Sequence, residues 1–279
     1  GNPKNDIAYG YNFQEQWDYA LQQDVPFIFI TGWNEWVAGR WGSTDDNPEH
    51  SYFCDQASPE YSRDVEPTLT AGLKDNYYMQ MVANIRRYKG MNPRASKRQN
   101  IAEWNDWDNI KPVYTDYRGD TEMRDHPGAV LNPANHYINK TGRNDFVSLK
   151  VARNKTEAFF LAETAQPIIY GNDETWMRLY INTDRNQTTG WMGYDLRING
   201  GKELQKYDAG KWESIGRVRV KMEGNKLMYS FPLEWISKKK GTLNFEFKWS
   251  DNMQQEDPMD WYLNGDVAPG GRMNFVYKN

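Results

Sequence analysis

The segment Trp33-Asn34-Glu35-Trp36 sets an amide and a carboxyl group between two indoles, directly after the apolar run Phe27-Ile28-Phe29-Ile30-Thr31. Indole faces suit the C–H side of a sugar ring, and a carboxyl group is the acid that works on a glycosidic oxygen. Packing between indoles also favours the protonated carboxyl, the state an acid catalyst needs. Glycoside hydrolysis takes a second carboxyl group, roughly 5 Å away for retention or roughly 6.5–9.5 Å away for inversion. The polar stretch 39–74 offers Asp45, Asp46, Asp55, Glu60, Asp64 and Glu66. Glu66, in Asp64-Val65-Glu66-Pro67 just ahead of the next helix, is placed to fold back over the end of the apolar run. Glu35 and Glu66 are therefore the catalytic candidates, with Trp33, Asn34 and Trp36 as substrate-binding neighbours. The competing reading pairs Glu35 with Arg40 and uses Arg63 or Asp64 as salt bridges that hold the loop. The partner acid can equally come from strands outside this chain.

The elements that would position these residues read helix, strand, loop, helix. Asn12 and Glu15 have capping-box spacing, and Phe13, Trp17, Ala20 and Leu21 follow a helical period. Asp24-Val25-Pro26 ends that helix. Phe27–Thr31 is apolar at every position but its last, which predicts a strand buried on both faces, as in a parallel sheet. Asp75 is expected to cap a second helix carrying Tyr78, Met81, Val82, Ile85 and Tyr88 on one side. One buried strand and two helices do not make a domain, and a complete (β/α)8 barrel takes roughly 250 residues. Residues 1–90 therefore read as the α/β closing part of a TIM barrel whose earlier strands lie outside this chain. The start, Gly1-Asn2-Pro3, has neither an initiator Met nor a signal peptide. The chain is expected to be a piece of a longer protein, catalytically inert alone.

Residues 91–100 are polar and basic and read as a linker. From 101 the apolar period changes to two, in runs at Phe146–Ala152, Glu157–Thr164, Trp176–Thr183, Tyr194–Ile198, Arg217–Met222, Leu227–Phe231, Leu243–Trp249 and Arg272–Tyr277. Turn signals separate them at 153–155, 199–201, 208–210, 223–225 and 269–271. An entry strand is expected within Asp106–Asp120. This pattern predicts an all-β antiparallel β-sandwich over 101–279. The whole chain is thus read as multidomain: partial barrel 1–90, linker 91–100, sandwich 101–279.

Composition closes off several classes. A net charge of −4 gives no global field toward nucleic acid. The single Cys54 forbids an internal disulfide, and with His50, His126 and His136 scattered no zinc site is expected. No apolar run reaches membrane-spanning length. Aromatic residues make up 15% of the chain, enough to serve both a sandwich core and sugar-stacking surfaces. Trp176, Trp191, Trp212, Trp235, Trp249 and Trp261 are the candidate platforms. Trp249 alternates with Phe245 and Phe247 and reads as core, whereas Trp191 and Trp212 lie at or beside turns and are the substrate-binding candidates. Asp184 and Asn186, in an Asp-x-Asn turn, supply hard oxygens suited to a structural calcium, or else a metal-free Asx turn. No cofactor is required. Asn139, Asn154 and Asn186 stand in glycosylation-type triplets.

Gly32-Trp33-Asn34-Glu35-Trp36 followed by Asp64-Val65-Glu66-Pro67 resembles barrel glycoside hydrolases of families 71 and 99 and bacterial relatives of them. That resemblance implies hydrolysis of α-linked mannan or glycan. Family 99 carries Asn-Glu-Trp-His-Glu-Gly and then Ile-Glu-Pro; here Val37-Ala38-Gly39 replaces His-Glu-Gly, and Ala38 stands where that family has its second glutamate. Either another acid is recruited or that chemistry is lost. The run Leu179–Trp191 with Gly193-Tyr194-Asp195, and later Trp261–Pro269, is similar to the family 9-type carbohydrate-binding module. The expected partner is an oligo- or polysaccharide, with export of the parent protein inferred from such a substrate. The rivals are a non-catalytic sugar binder and a sandwich that only braces the barrel.

Overall fold

The computed structural model describes residues 6–34, 40–41, 52–53, 64–69, 72–91, 96, 99–121, 123–127, 136–237 and 242–279. By internal contacts the chain divides into two compact units, residues 1–92 with 127–136, and residues 93–126 with 137–279.

The first unit holds helix α1 (Tyr11–Gln22), a short ladder of β1 (Arg40–Trp41) with β2 (Tyr52–Phe53), and helix α2 (Asn76–Lys89). Gly10 takes the N-cap position of α1 at φ +60°, and a Cβ there would fall 2.1 Å from Gln80 Oε1. The positive φ is what favours glycine, since the Gln80 side-chain end could move aside. Because the helix starts at this glycine, the expected Asn12–Glu15 capping box does not form. Asn12 lies inside the first turn and accepts from Gln16 Nε2 at 3.1 Å. Asp75 stands at the N-cap position of α2 as expected, but its side chain makes no capping hydrogen bond.

Polar side chains join the two helices. Asn84, buried, and Gln14 exchange amide hydrogen bonds of 2.9 and 3.1 Å. Gln80 Nε2 reaches Gln14 at 3.2 Å and Gly10 O at 3.0 Å. Arg87 donates to Asn84 at 2.7 Å and to Asp18 at 2.8 Å. A buried amide is tolerated because its donor and acceptor sides are both met. The apolar stripe predicted for α2 is only half-buried.

The run Phe27–Thr31 departs from expectation. It joins no β-ladder, and Phe27 and Phe29 are 73% and 76% exposed with rings stacked 6.4 Å apart. A strand apolar on both faces needs neighbours to cover it, and none pairs with it among the described residues. No barrel is formed by these residues.

The second unit is an antiparallel sandwich. Its strands are β3 (Tyr114–Thr115), β4 (Met123–Pro127), β5 (His136–Lys140), β6 (Phe146–Arg153), β7 (Glu157–Thr164), β8 (Arg178–Asn182), β9 (Leu196–Asn199), β10 (Glu203–Asp208), β11 (Lys211–Arg217), β12 (Arg219–Glu223), β13 (Lys226–Pro232), β14 (Asn244–Asp251), β15 (Asp266–Ala268) and β16 (Phe275–Lys278). One sheet runs β11-β10-β9-β8-β14-β15, with β16 also on β14; the other runs β12-β13-β7-β6-β3. β4 and β5 form a separate hairpin.

Alternation decides the faces. In β8, Leu179 and Ile181 enter the core while Arg178, Tyr180 and Asn182 point outward; in β14, Phe245, Phe247 and Trp249 point inward. Trp249 is core as its spacing predicts, wholly buried and stacked on Tyr229 at 5.2 Å. The outer face of the five-stranded sheet is covered by the 3-10 helix Trp104–Asn109, whose Trp107 packs with Phe159, Leu161 and Met228.

One buried ion pair ties the sandwich together. Asp251, wholly buried, accepts from Arg143 at 2.8 and 2.9 Å, from Asn144 at 2.9 Å and from Met177 N at 2.8 Å. Arg143 also pairs with Asp173 at 2.7 Å, so removing Asp251 costs chiefly the acceptor of the buried Met177 N and of the Asn144 amide. Asp251→Ala is therefore expected to destabilise the protein by about 1–3 kcal/mol, read as a lowered urea midpoint; a loss under about 0.5 kcal/mol, the scale of an ordinary surface change, would contradict this reading of Asp251.

Candidate functional site

Three of the five residues singled out around 33–36 and 66 come together. Gly32 adopts φ +79°, a conformation that strains any other residue. The chain then runs alongside 64–66: Val65 N donates to Gly32 O at 2.9 Å, and Glu66 N to Trp33 O at 3.0 Å. The amide of Asn34 reaches Glu66 Oε2 at 3.2 Å. Trp33 is 48% exposed and sets its edge against Tyr78 of α2 at 5.8 Å. Glu66 thus stands over the end of the apolar run, carried there by backbone pairing and oriented by Asn34. Glu35 and Trp36 lie outside the described residues, as do Ala38, Asp45, Asp46, Asp55, Glu60 and Arg63. A half-exposed indole, an amide and a carboxyl group on one short ledge can stack on a sugar ring and hydrogen-bond its hydroxyls.

In the sandwich, Trp176, Trp249 and Trp261 are buried. Trp191 and Trp212 are half-buried and pack with Tyr180, Tyr194, Met253, Trp261 and Val267 on the outer face of the seven-stranded sheet. Trp191 stacks on Tyr180 at 5.7 Å, and the Arg197 guanidinium lies 4.6 Å from the Trp212 ring. Both candidate platforms therefore belong to an aromatic cluster that covers outward-facing strand residues, with part of each ring open to solvent.

The turn proposed for calcium is held by its own backbone. Asp184 Oδ1 accepts from Asn186 N at 2.8 Å, and Asn186 Oδ1 accepts from Thr188 N at 3.0 Å and Thr188 Oγ1 at 2.8 Å. Two consecutive Asx turns occupy these oxygens. Among the described residues, the carboxylates close enough to share a cation are Asp116, Asp120 and Asp266, with one oxygen of each within 4.8 Å of the others. Burial pushes Asp116 up to about 7, the nearby Asp120 adding to the rise and Lys248 opposing it. Burial raises Asp266 well above the usual carboxylate range although Phe146 N donates to it at 2.7 Å. Lys248 is wholly buried, donates to Pro269 O, and lies 5.0 Å from the Trp261 ring; burial lowers it to about 7 against the pull of Asp116 and Asp266.

These buried charges had no local signature. Asp116 and Asp266 lie at opposite ends of the sandwich sequence, and Lys248 sits in an alternating strand where an outward lysine reads as exposed. Arg178 and Arg197 are likewise buried, sharing the carboxylate of Glu256 at 2.7 and 3.1 Å. In comparisons with family models, curated proteins and solved structures, the chain matches none of them. The resemblances to family 71 and 99 hydrolases and to the family 9-type module therefore rest on the motif residues alone.

The raised carboxyl of Asp116 has a direct consequence. Folding favours its protonated form, so its contribution to stability is complete below the unfolded-state value of about 4 and is lost as pH rises through about 7. In chelator, Asp116→Asn is expected to raise Tm at pH 7.5 by roughly 2–4 °C and to flatten the decline between pH 5 and 7.5; an unchanged decline would remove Asp116 as its source.

Proposed function

We propose that this chain is the C-terminal part of a carbohydrate-active protein, in which the first unit completes a (β/α)8 glycosidase-like barrel and the sandwich is an accessory sugar-binding domain. The observation that carries the reading is the ledge of Trp33, Asn34 and Glu66, with the Asn34 amide 3.2 Å from the Glu66 carboxylate. In this reading Glu35 is the acid/base, Glu66 the second carboxyl group, and Trp33, Asn34 and Trp36 bind the sugar. The barrel reading draws support from the uncovered Phe27 and Phe29, whose apolar faces suit neighbouring strands. Glycoside hydrolysis by paired carboxyl groups needs no metal or organic cofactor. A parent acting on polysaccharide would work outside the cytoplasm, where such substrates are met.

Ala38 favours a second reading, a binder that has lost hydrolysis but keeps the sugar-stacking residues. The two separate in a longer protein that carries this chain behind the remaining barrel strands. The enzyme reading expects turnover of a neutral glycan, reduced about 10²–10⁴-fold by Glu35→Gln and by Glu66→Gln. Glycan binding with no turnover selects the binder, and failure to bind or cleave any member of a broad glycan panel removes both.

A further inference from the structure

We infer that the first unit carries a separate subsite for a single neutral sugar ring, in the pocket between the start of α1 and residues 31–32 and 64–65. The inference rests on the carbohydrate reading above and adds a place and a ligand class to it. The cavity has a volume of about 390 Å³, within the range of small-molecule sites and suited to one ring rather than a long chain.

Its walls come from three segments already fixed by other contacts. Tyr11, Asn12 and Gln16 of α1 line one side, and Thr31, Gly32, Asp64 and Val65 line another. The first wall is set by the Gly10–Gln80 hydrogen bond, the second by the Val65–Gly32 backbone bond. Tyr77 also lines the cavity, with its hydroxyl donating to Ile7 O at 2.6 Å. The pocket is therefore built from elements that hold their positions without a ligand, which lowers the ordering cost of binding.

The polar groups suit adjacent hydroxyls. Gln16 Nε2 donates to Asn12 Oδ1 at 3.1 Å, so the pair offers the Asn12 amide protons beside the Gln16 carbonyl oxygen. A donor next to an acceptor matches vicinal hydroxyls, which accept and donate in turn. The carboxylate of Asp6 adds a further acceptor. At the rim Tyr11 is 66% exposed and stacks on Tyr9 at 5.7 Å, giving a flat face for the C–H side of a ring.

Charge sets the ligand class. Among the described residues, carboxylates and no Lys, Arg or His line the cavity, so a uronate, sulfated or phosphorylated sugar meets repulsion there, and a neutral hexoside does not.

The test is an NMR titration of the whole chain with neutral methyl hexosides and, separately, with the matching uronates. Expected are amide shifts at Tyr11, Gln16 and Asp64 with a neutral hexoside, little response to the uronate, and about tenfold weaker binding in Tyr11→Ala, a surface change that leaves the helix intact. Gln16→Ala is expected to weaken binding similarly. Shifts confined to residues 137–279 would overturn the subsite while leaving a carbohydrate role standing. Equal binding of the uronate would overturn the ligand class. Neutral-hexoside binding unmoved by both variants would overturn the pocket assignment. Silence toward every sugar, in the pocket and the sandwich alike, would count against the subsite and the broader reading together.

Discussion

Two backbone hydrogen bonds, Val65 N to Gly32 O and Glu66 N to Trp33 O, organise everything of chemical interest in the first unit. They bring together segments that are distant in sequence, and they act at a glycine whose positive φ turns the chain toward its partner. On one side of this pairing Asn34 meets Glu66 and Trp33 faces solvent. On the other, Gly32, Asp64 and Val65 become a wall of the sugar-sized pocket. Backbone pairing is suited to this role because it sets register without consuming side chains, leaving the indole, amide and carboxyl groups to meet a ligand. A side chain added at Gly32 would meet no atom within 4 Å, so its constraint is conformational rather than steric.

The helices that flank this pairing are held in an unusual way. Beside the Phe13–Tyr77 ring contact at 6.1 Å, their contact carries the Gln14–Asn84 amide pair. Such a pair is directional: it penalises sliding or rotation of one helix on the other, because either motion leaves buried amide groups without partners. A directional contact fixes Tyr11, Asn12 and Gln16 against the 31–32 and 64–65 wall better than a uniform apolar seam of the same size would. The cost is that aromatic and aliphatic residues of the unit, Tyr9, Tyr19, Phe27, Phe29 and Leu69 among them, remain exposed.

Legibility from sequence followed the range of the interactions. The Glu157–Thr164 strand lies where it was expected, although its apolar run is buried on both faces rather than alternating, and β13 and the Asn199-Gly200-Gly201 and Glu223-Gly224-Asn225 turns fall where Gly and Asn mark them, because such signals are local. The hairpin of β10 and β11 was only half visible: its Asp208-Ala209-Gly210 turn was marked, but edge strands such as Lys211–Arg217 bury too little for an apolar alternation to develop. Phe27–Thr31 has the composition of a buried strand, yet burial depends on neighbours, which its own residues do not encode. The capping box at Asn12 failed for a similar reason, since Gly10 already ends the non-helical chain there. At the site, the return of Glu66 over residues 32–34 was readable from its position ahead of a helix. The Asp116–Asp120–Asp266 group, the buried Lys248 and the Arg178–Arg197–Glu256 contact were not, because each joins residues from strands and loops far apart in sequence.

Amide hydrogen exchange at Val65 and Glu66, measured with and without a neutral methyl hexoside, probes the central pairing most directly. Protection of both amides in the unliganded protein, increased when the sugar is added, is the predicted result. Exchange at the rate of an open loop, unaltered by the sugar, would contradict both the pairing and the site built on it.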